Sequence, residues 1–195
     1  MKLLYSPTSP YARKVLVLAH EAGIGLEVEA GSGSPTARNP KVAAQNPLGK
    51  IPVLLTDQGP LYDSRVICQY LDTLHQGRRL YPEGAARFVA LRREALADGL
   101  LDAALLARYE TTRPEEKVWS DWYDGQVTKM KAALDQMETD LPDAVDIGAI
   151  AYGCALGYVD FRFAALNWRD SHPRLAAWEA EFAARPSMQA TRIPE

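Results

Sequence analysis

Cysteine is scarce in this chain. The two present, Cys68 and Cys154, lie in apolar, helix-like stretches without C-x-x-C spacing, which argues for buried small hydrophobes over a disulfide, a metal site or a redox pair. Histidine is nearly as rare. His20, His75 and His172 are far apart and lack metal-ligand spacing, so each is expected as a surface or capping side chain and no metal is expected. There is no basic tract: 22 Lys and Arg face 25 Asp and Glu, a net charge of −3, so neither nucleic acid nor an anionic membrane is an expected partner. An apolar leader core is also missing, because Met1-Lys2-Leu3-Leu4-Tyr5 runs straight into Ser6-Pro7, and a cytoplasmic location is expected. One long apolar run, 147–166, has the length of a membrane span. Asp160, Arg162, its glycines and the lack of a basic flank instead predict a helix buried at the centre of a bundle.

What remains is 195 residues at 47% hydrophobic, enough for a full core. Residues 2–5 read as a strand. A helix starts at Pro10 with Ser9 as its cap, carries Tyr11, Val15, Leu18 and Ala22 on one face and ends at Gly23 and Gly25. Residues 26–29 alternate like a second strand, 31–35 form a loop, and 36–45 hold one or two irregular helical turns. Residues 53–56 and 61–62 form a hairpin across 57–60, followed by a helix with the stripe Val66, Ile67, Tyr70, Leu71 and Leu74. The order β-α-β-(α)-β-β-α suits a small mixed sheet with helices on both faces. Beyond residue 77 strand signals vanish. The expected division is therefore 1–76, a linker at 77–86, and an all-helical part at 87–195. There, a helix over about 86–110 is expected to bury Leu91, Ala95, Asp102, Leu105 and Tyr109, with Asp98 on the same face. A second helix carries Trp119, Tyr123, Val127, Met130, Leu134, Met137 and Leu141, and a last one Leu175, Trp178 and Phe182.

The stretch from Asn46 to Ser64 bears chemistry. Asn46-Pro47 and Gly49 punctuate a turn, and Pro52 stands where a short apolar strand begins, a position that borders a sheet. With a cis bond at Ile51-Pro52, the Ile51 N–H and C=O turn outward and can pair with an extended peptide as an added strand. Asp63-Ser64 opens the next helix. On spacing alone, a tight turn and an ordinary helix cap account for these residues equally well.

In their order and spacing, Ser9-Pro10, Asn46-Pro47-x-Gly49-x-Ile51-Pro52 and Asp63-Ser64 ahead of an all-helical half resemble the cytosolic glutathione transferases along the whole chain. The resemblance implies an α/β thioredoxin-like N-terminal domain plus an all-α C-terminal helical bundle, with glutathione as co-substrate, no metal and a homodimer. By the same resemblance the Ile51 backbone pairs with the cysteinyl part of glutathione, and Asp63 and Ser64 hold its γ-glutamyl amine and carboxylate. Ser9, as in the bacterial serine-type enzymes, donates its hydroxyl to the sulfur; Thr8 is the reserve, ahead of Tyr5 and Tyr11. Lowering a thiol pKa by about two units is worth roughly 2.7 kcal/mol, within reach of one charge-assisted hydrogen bond plus a helix terminus. Lys50 and Arg38 are placed to approach the glycine carboxylate, and Tyr11, Arg108 and Tyr109 to line the pocket of a small hydrophobic electrophile.

Where glutaredoxins carry Cys-Pro-Tyr-Cys, this chain reads Ser9-Pro10-Tyr11-Ala12, which excludes a dithiol mechanism. The central second-domain helix departs from the family's Ser/Thr-x-x-Asp start, reading Asp146-Ile147-Gly148-Ala149: the cap stays and the reciprocal carboxylate is lost. Asp98 and Asp102 are expected as polar groups toward the domain cleft or a dimer partner. The implied function is a glutathione S-transferase. Its alternatives are a glutathione-dependent isomerase, disulfide or peroxide reductase or dehalogenase on the same scaffold, and a non-catalytic assembly module.

Overall fold

A computed structural model of the chain describes residues 1–194. It divides into two compact units, Met1–Pro82 with Pro186–Glu195, and Glu83–Arg185.

In the first unit the chain runs β1 (Lys2–Tyr5), α1 (Pro10–Glu21), β2 (Glu27–Ala30), α2 (Pro40–Gln45), β3 (Val53–Thr56), β4 (Gly59–Leu61) and α3 (Ser64–Asp72). The sheet order is β2-β1-β3-β4, with β2 parallel to β1 and the other two pairings antiparallel. This is the expected mixed, thioredoxin-like sheet. Leu4 pairs with Val53 and both pack against Val42 of α2; the two-residue period turns Leu3 and Leu54 to the opposite face, and they too are fully buried. Burial on both faces explains why the central strands are continuous apolar runs.

The hairpin is tighter than expected. Thr56 pairs with Gly59, so Asp57 and Gln58 alone make the turn and Gly59-Pro60 belongs to β4. Gly59 at φ +110° is the residue that allows it. The opposite edge strand, β2, alternates Glu27 and Glu29, both of which reach Lys2 (3.1 and 3.2 Å), while Lys41 also pairs with Glu29.

On α1 the buried residues include Ala12, Val15, Leu18 and Ala19, whereas Tyr11 and Ala22 are only half-buried. The face is rotated by one residue from the expected stripe. On α3, Ile67 and Leu71 are buried as expected, but Val66 is exposed, and so is Leu74, which lies beyond the end of the helix. Asp72 ends that helix and is buried: its carboxylate accepts from the N–H groups of Leu80 (2.8 Å) and Tyr81 (3.2 Å) and meets His75 Nε2 at 3.0 Å. It folds the following segment back onto the unit and buries Leu80 and Tyr81.

The second unit consists of α4 (Gly84–Glu110), α5 (Ser120–Thr139), α6 (Ile147–Arg162), α7 (Trp168–Ser171) and α8 (Pro173–Ala183). The buried face of α4 includes Ala90, Ala97, Leu101 and Ala104, not the expected Leu91, Ala95, Asp102, Leu105 and Tyr109. Small side chains win this face because α6 approaches so closely. A Cβ at Gly148 would lie 2.8 Å from Arg93 Cβ and 3.1 Å from the Ala90 carbonyl oxygen. Asp146 Oδ1 accepts from the Ala149 N–H at 2.9 Å, so the cap of α6 forms as read. Twelve of the helix's sixteen residues are buried, in line with a core helix, and among the described residues no single helix is long and apolar enough to cross a membrane.

On α5, Met130, Leu134 and Met137 are buried as expected, while Trp119 and Trp122 at its start are exposed. His172 is buried and not on the surface, but it caps α7, the other expected alternative. Its Nδ1 meets the Trp168 carbonyl at 2.7 Å and its Nε2 meets Asp135 at 3.0 Å. Cys68 and Cys154 are both buried thiols, not joined in a disulfide. The last helix, α9 (Pro186–Ala190), returns to the first unit, where Arg13 Nη2 donates to the Met188 carbonyl at 3.2 Å and Ser187 Oγ to Glu21.

Candidate functional site

The register of the sheet gathers three of the expected site segments at one end of the first unit. β1 runs out at Tyr5 beside Val53, where antiparallel β3 begins, so the loop leading to Ser9 and the Ile51-Pro52 pair share that end. β4 returns antiparallel to β3 and finishes at Leu61 opposite Leu54, which brings Asp63 and Ser64 to it two residues later. The N-termini of α1 and α3 therefore open at the same end of the sheet, each with unsatisfied N–H groups and a positive dipole end.

Ser9 is the N-cap of α1. Its Oγ accepts from the Ala12 N–H at 3.3 Å while Pro10, lacking an N–H, takes the first helical position. Accepting leaves the hydroxyl hydrogen available to a second partner. The reserve candidate, Thr8, is engaged differently: its Oγ1 lies 3.2 Å from Ser6 Oγ. Tyr5 and Tyr11 are half-buried.

The Ile51-Pro52 bond is cis, as is Tyr62-Asp63. The segment before Ile51 is clamped by Asn46, which is buried: its Oδ1 accepts from the Leu48 N–H at 3.0 Å, its Nδ2 donates to the Lys50 carbonyl at 2.9 Å, and its carbonyl accepts from the Gly49 N–H at 2.8 Å. Gly49 closes this turn at φ +65°. A sequence reading marks Asn46 as turn punctuation and misses its role as the clamp on the peptide preceding Ile51.

A second omission is Gly33. A Cβ there would stand 3.3 Å from the Ile51 backbone nitrogen and 3.6 Å from Lys50 Cα. Glycine leaves the Ile51 N–H uncrowded. The Gly31-Ser32-Gly33 spacing was the available signal.

Asp63 is the N-cap of α3, its Oδ1 accepting from the Arg65 N–H at 3.0 Å. The Asp63 carboxylate is exposed, whereas Ser64, the first helical residue, is buried. The pair thus offers a solvent-facing negative charge beside a sequestered hydroxyl. Lys50 and Arg38 are both exposed.

Of the expected second-pocket residues, Tyr109 lines a groove of about 520 Å³ in the second unit, together with Leu106, Glu110, Lys117, Trp119 and Trp122. Arg108 is not among its lining residues; Arg113 is. Asp98 is buried and Asp102 exposed, although their i, i+4 spacing puts both on one side of α4. Among the described residues no group of three or more His, Cys, Asp or Glu side chains is arranged to hold a metal ion.

Elsewhere in the second unit, Asp140 bridges two arginines. Arg93 reaches its Oδ1 through Nε (3.2 Å) and Nη2 (2.7 Å), and Arg92 reaches Oδ2 at 2.7 Å. Burial alone would raise the carboxyl's pKa, but the Arg93 hydrogen bond and charge outweigh it and hold Asp140 below the ordinary value. Nearby Tyr152 is fully buried, and burial followed by the Asp140 charge pushes its phenol up to about 12. Among the described residues its hydroxyl has no hydrogen-bond partner.

Residues 3–79 match the family described as the glutathione S-transferase N-terminal domain, and residues 120–181 match the glutathione S-transferase C-terminal domain. The chain is 34% identical to the uncharacterized GST-like protein YibF of Escherichia coli K12, with all of both sequences covered. It also resembles a glutathione transferase family member of Pseudomonas fluorescens Pf-5 in two crystal structures. With glutathione bound, that protein superposes at a TM-score of 0.97 with 49% identity, over 100% of this chain and 99% of the other. With S-(propanoic acid)-glutathione bound, the values are 0.92 and 48%, over all of both chains.

Proposed function

Because this chain belongs to the glutathione transferase family, we propose that it binds glutathione at the sheet end of its first unit and presents the sulfur as a thiolate to a small hydrophobic electrophile. The observation that carries the reading is the convergence of Ser9, Ile51 and Asp63-Ser64, from three separate segments, at one end of the sheet. The relative solved with glutathione and with a glutathione thioether supports it.

Each group has a role that its environment supports. The Ile51 backbone, next to the side-chain-free Gly33, pairs with the cysteinyl residue of the tripeptide as an added strand. Asp63 meets the γ-glutamyl ammonium, while Ser64 and the N–H groups opening α3 meet the adjoining carboxylate. Lys50 and Arg38 supply cations to the glycine carboxylate. When the thiol loses its proton to solvent, Ser9 donates a hydrogen bond to the resulting sulfur anion, helped by the positive end of α1. The thiolate forms a carbon–sulfur bond, and the displaced group leaves with the electron pair. Ser9 forms no covalent bond in this scheme.

Tyr109, which lines the groove of the second unit, is the residue retained for contact with the electrophile. The reading divides the labour between a glutathione-binding domain at 1–76 and a helical domain at 87–195, joined by 77–86, and assembles two copies as a homodimer. It places the protein in the cytoplasm, the compartment whose redox balance rests on glutathione.

Calorimetric titration with glutathione, followed by a panel of electrophiles with glutathione consumption monitored, tests this reading. Binding together with stoichiometric loss of glutathione is expected. Turnover that leaves glutathione unconsumed would assign an isomerase instead, and glutathione disulfide as product a reductase. Absence of binding would leave an assembly role.

A further inference from the structure

The loop that delivers Ser9, residues 6–9, is held from a single residue. Tyr5 ends β1 just before it, its carbonyl accepting from the Gly31 N–H at 2.7 Å, and Pro10 opens α1 just after it. Pro7 and Pro10 have no N–H, so Thr8 and Ser9 supply the backbone donors between them. Both end on Ser6. The Ser9 N–H donates to the Ser6 carbonyl at 3.0 Å, closing a four-residue turn, and the Thr8 N–H donates to Ser6 Oγ at 3.4 Å. The Thr8 hydroxyl lies 3.2 Å from the same oxygen.

These contacts constrain different atoms. The bond to the Ser6 carbonyl sets where the Ser9 backbone starts, and no change of the Ser6 side chain removes that acceptor. The contacts of the Ser6 hydroxyl fix Thr8, whose peptide leads into Ser9, and turn the Thr8 hydroxyl back onto the loop. Each is long for its type, so each contributes little to stability. Aim is a stricter requirement than stability. A hydrogen bond weakens steeply once its donor swings off the acceptor, and one direction at Ser9 Oγ is already taken by the Ala12 N–H at 3.3 Å.

We infer that Ser6 is a positioning residue: its hydroxyl holds Thr8 in the turn, keeps the Thr8 hydroxyl off the sulfur, and leaves the Ser9 hydroxyl as the group aimed at the thiolate of bound glutathione. This role rests on the proposed glutathione site, and in it Ser6 acts on the sulfur only through Ser9.

The ultraviolet thiolate absorbance of bound glutathione, followed across pH in Ser6→Ala, Ser6→Thr and Ser9→Gly, tests the role, with glutathione affinity read by calorimetry and stability by urea unfolding. Ser6→Ala should bind glutathione with the parent's Kd and move the thiolate titration up by about half a pH unit. Its kcat should fall about threefold at pH values below the midpoint, where the thiolate population drops by that factor. Ser6→Thr keeps the hydroxyl and should restore both. A hydroxyl that served the fold alone would change unfolding and leave the titration at the parental pH. A parental titration in Ser6→Ala beside a shifted one in Ser9→Gly, or no restoration by Ser6→Thr, would overturn the role of Ser6 and leave the proposed function standing. No glutathione binding by the parent chain, or a parental titration in Ser9→Gly, would overturn both the role and the reading it rests on.

Discussion

The side-chain amide of Asn46 donates to the Lys50 carbonyl at 2.9 Å, and this hydrogen bond sets the peptide that leads into Ile51. Because Asn46 is buried, its loss would strand the Lys50 carbonyl and the Leu48 N–H. Asn46→Ala should cost about 2 kcal/mol of stability by urea unfolding and raise the glutathione Kd about tenfold. Asn46→Asp, which keeps the acceptor for Leu48 and loses the donor to Lys50, should retain more stability than Asn46→Ala while still weakening glutathione. Unchanged glutathione affinity in both would show that the clamp does not govern the edge.

Ser9 carries two proposed jobs, a helix cap and a thiolate partner, and they can be separated. Ser9→Ala should lose about 1 kcal/mol from the missing cap, whereas Ser9→Gly should lose only a few tenths. If the hydroxyl also stabilises the sulfur anion, both variants should lower kcat by about a hundredfold near neutral pH. The ultraviolet thiolate absorbance of bound glutathione should then titrate at higher pH in both. Thr8→Ala should leave that titration where it is. A parental titration in Ser9→Gly would remove Ser9 from the chemistry.

For Asp63, the exposed carboxylate at the start of α3, the prediction is a binding defect with little effect on turnover. Asp63→Asn preserves an acceptor for the Arg65 N–H but removes the charge offered to the γ-glutamyl ammonium. The KM for glutathione should rise about 10- to 100-fold with kcat nearly unchanged. A drop in kcat at unaltered KM would contradict the assignment.

The Arg93–Asp140–Tyr152 group makes predictions at both ends of the pH scale. Asp140 is held below its ordinary value of 3.8, so its contribution is present above about pH 4 and is lost as the pH falls through the folded-state pKa. Asp140→Asn should cost about 3 kcal/mol at neutral pH, and that difference should shrink in acid. Tyr152 is displaced the other way, from 10.0 to about 12. Its contribution is whole below pH 10 and declines as the pH rises toward 12 and beyond. Tyr152→Phe removes a buried hydroxyl with no partner among the described residues, and should stabilise the protein by about 1 kcal/mol while flattening the alkaline decline. Chemical denaturation across pH reads both effects.

The proposed homodimer needs an apolar contact surface, and Phe88 of α4, 72% exposed, is the natural member of one. Phe88→Glu should shift the protein to a monomer by light scattering. A monomeric parent chain would remove the homodimer.

The local structure of the candidate site's segments was legible in the sequence. A serine before a proline caps a helix, an Asn-Pro-x-Gly turn sets up Ile51-Pro52, and an Asp-Ser pair opens a helix, all within a few residues. Gly33 and Asn46 escaped because their meaning lies in distances to the Ile51 and Lys50 backbones. The buried face of α4 was misread for a related reason. Apolar residues occur on every side of this helix among its charges, so the leucines invited a stripe, while the close approach of α6 at Gly148 selects Ala90, Ala97 and Ala104. Trp119 and Trp122 continue the periodicity of α5 into its exposed first turns, where periodicity carries no information about burial. His172 looked like an isolated polar residue because its partner, Asp135, lies on another helix.

The β4 strand has only three residues, and the middle one, Pro60, has no N–H to give. At the opposite flank, β2 alternates glutamates tied to Lys2 and Lys41. Both borders of the sheet are thereby unattractive to a stray polypeptide. Chance recruitment of a neighbouring chain, the first step toward aggregation, is discouraged where it would be easiest.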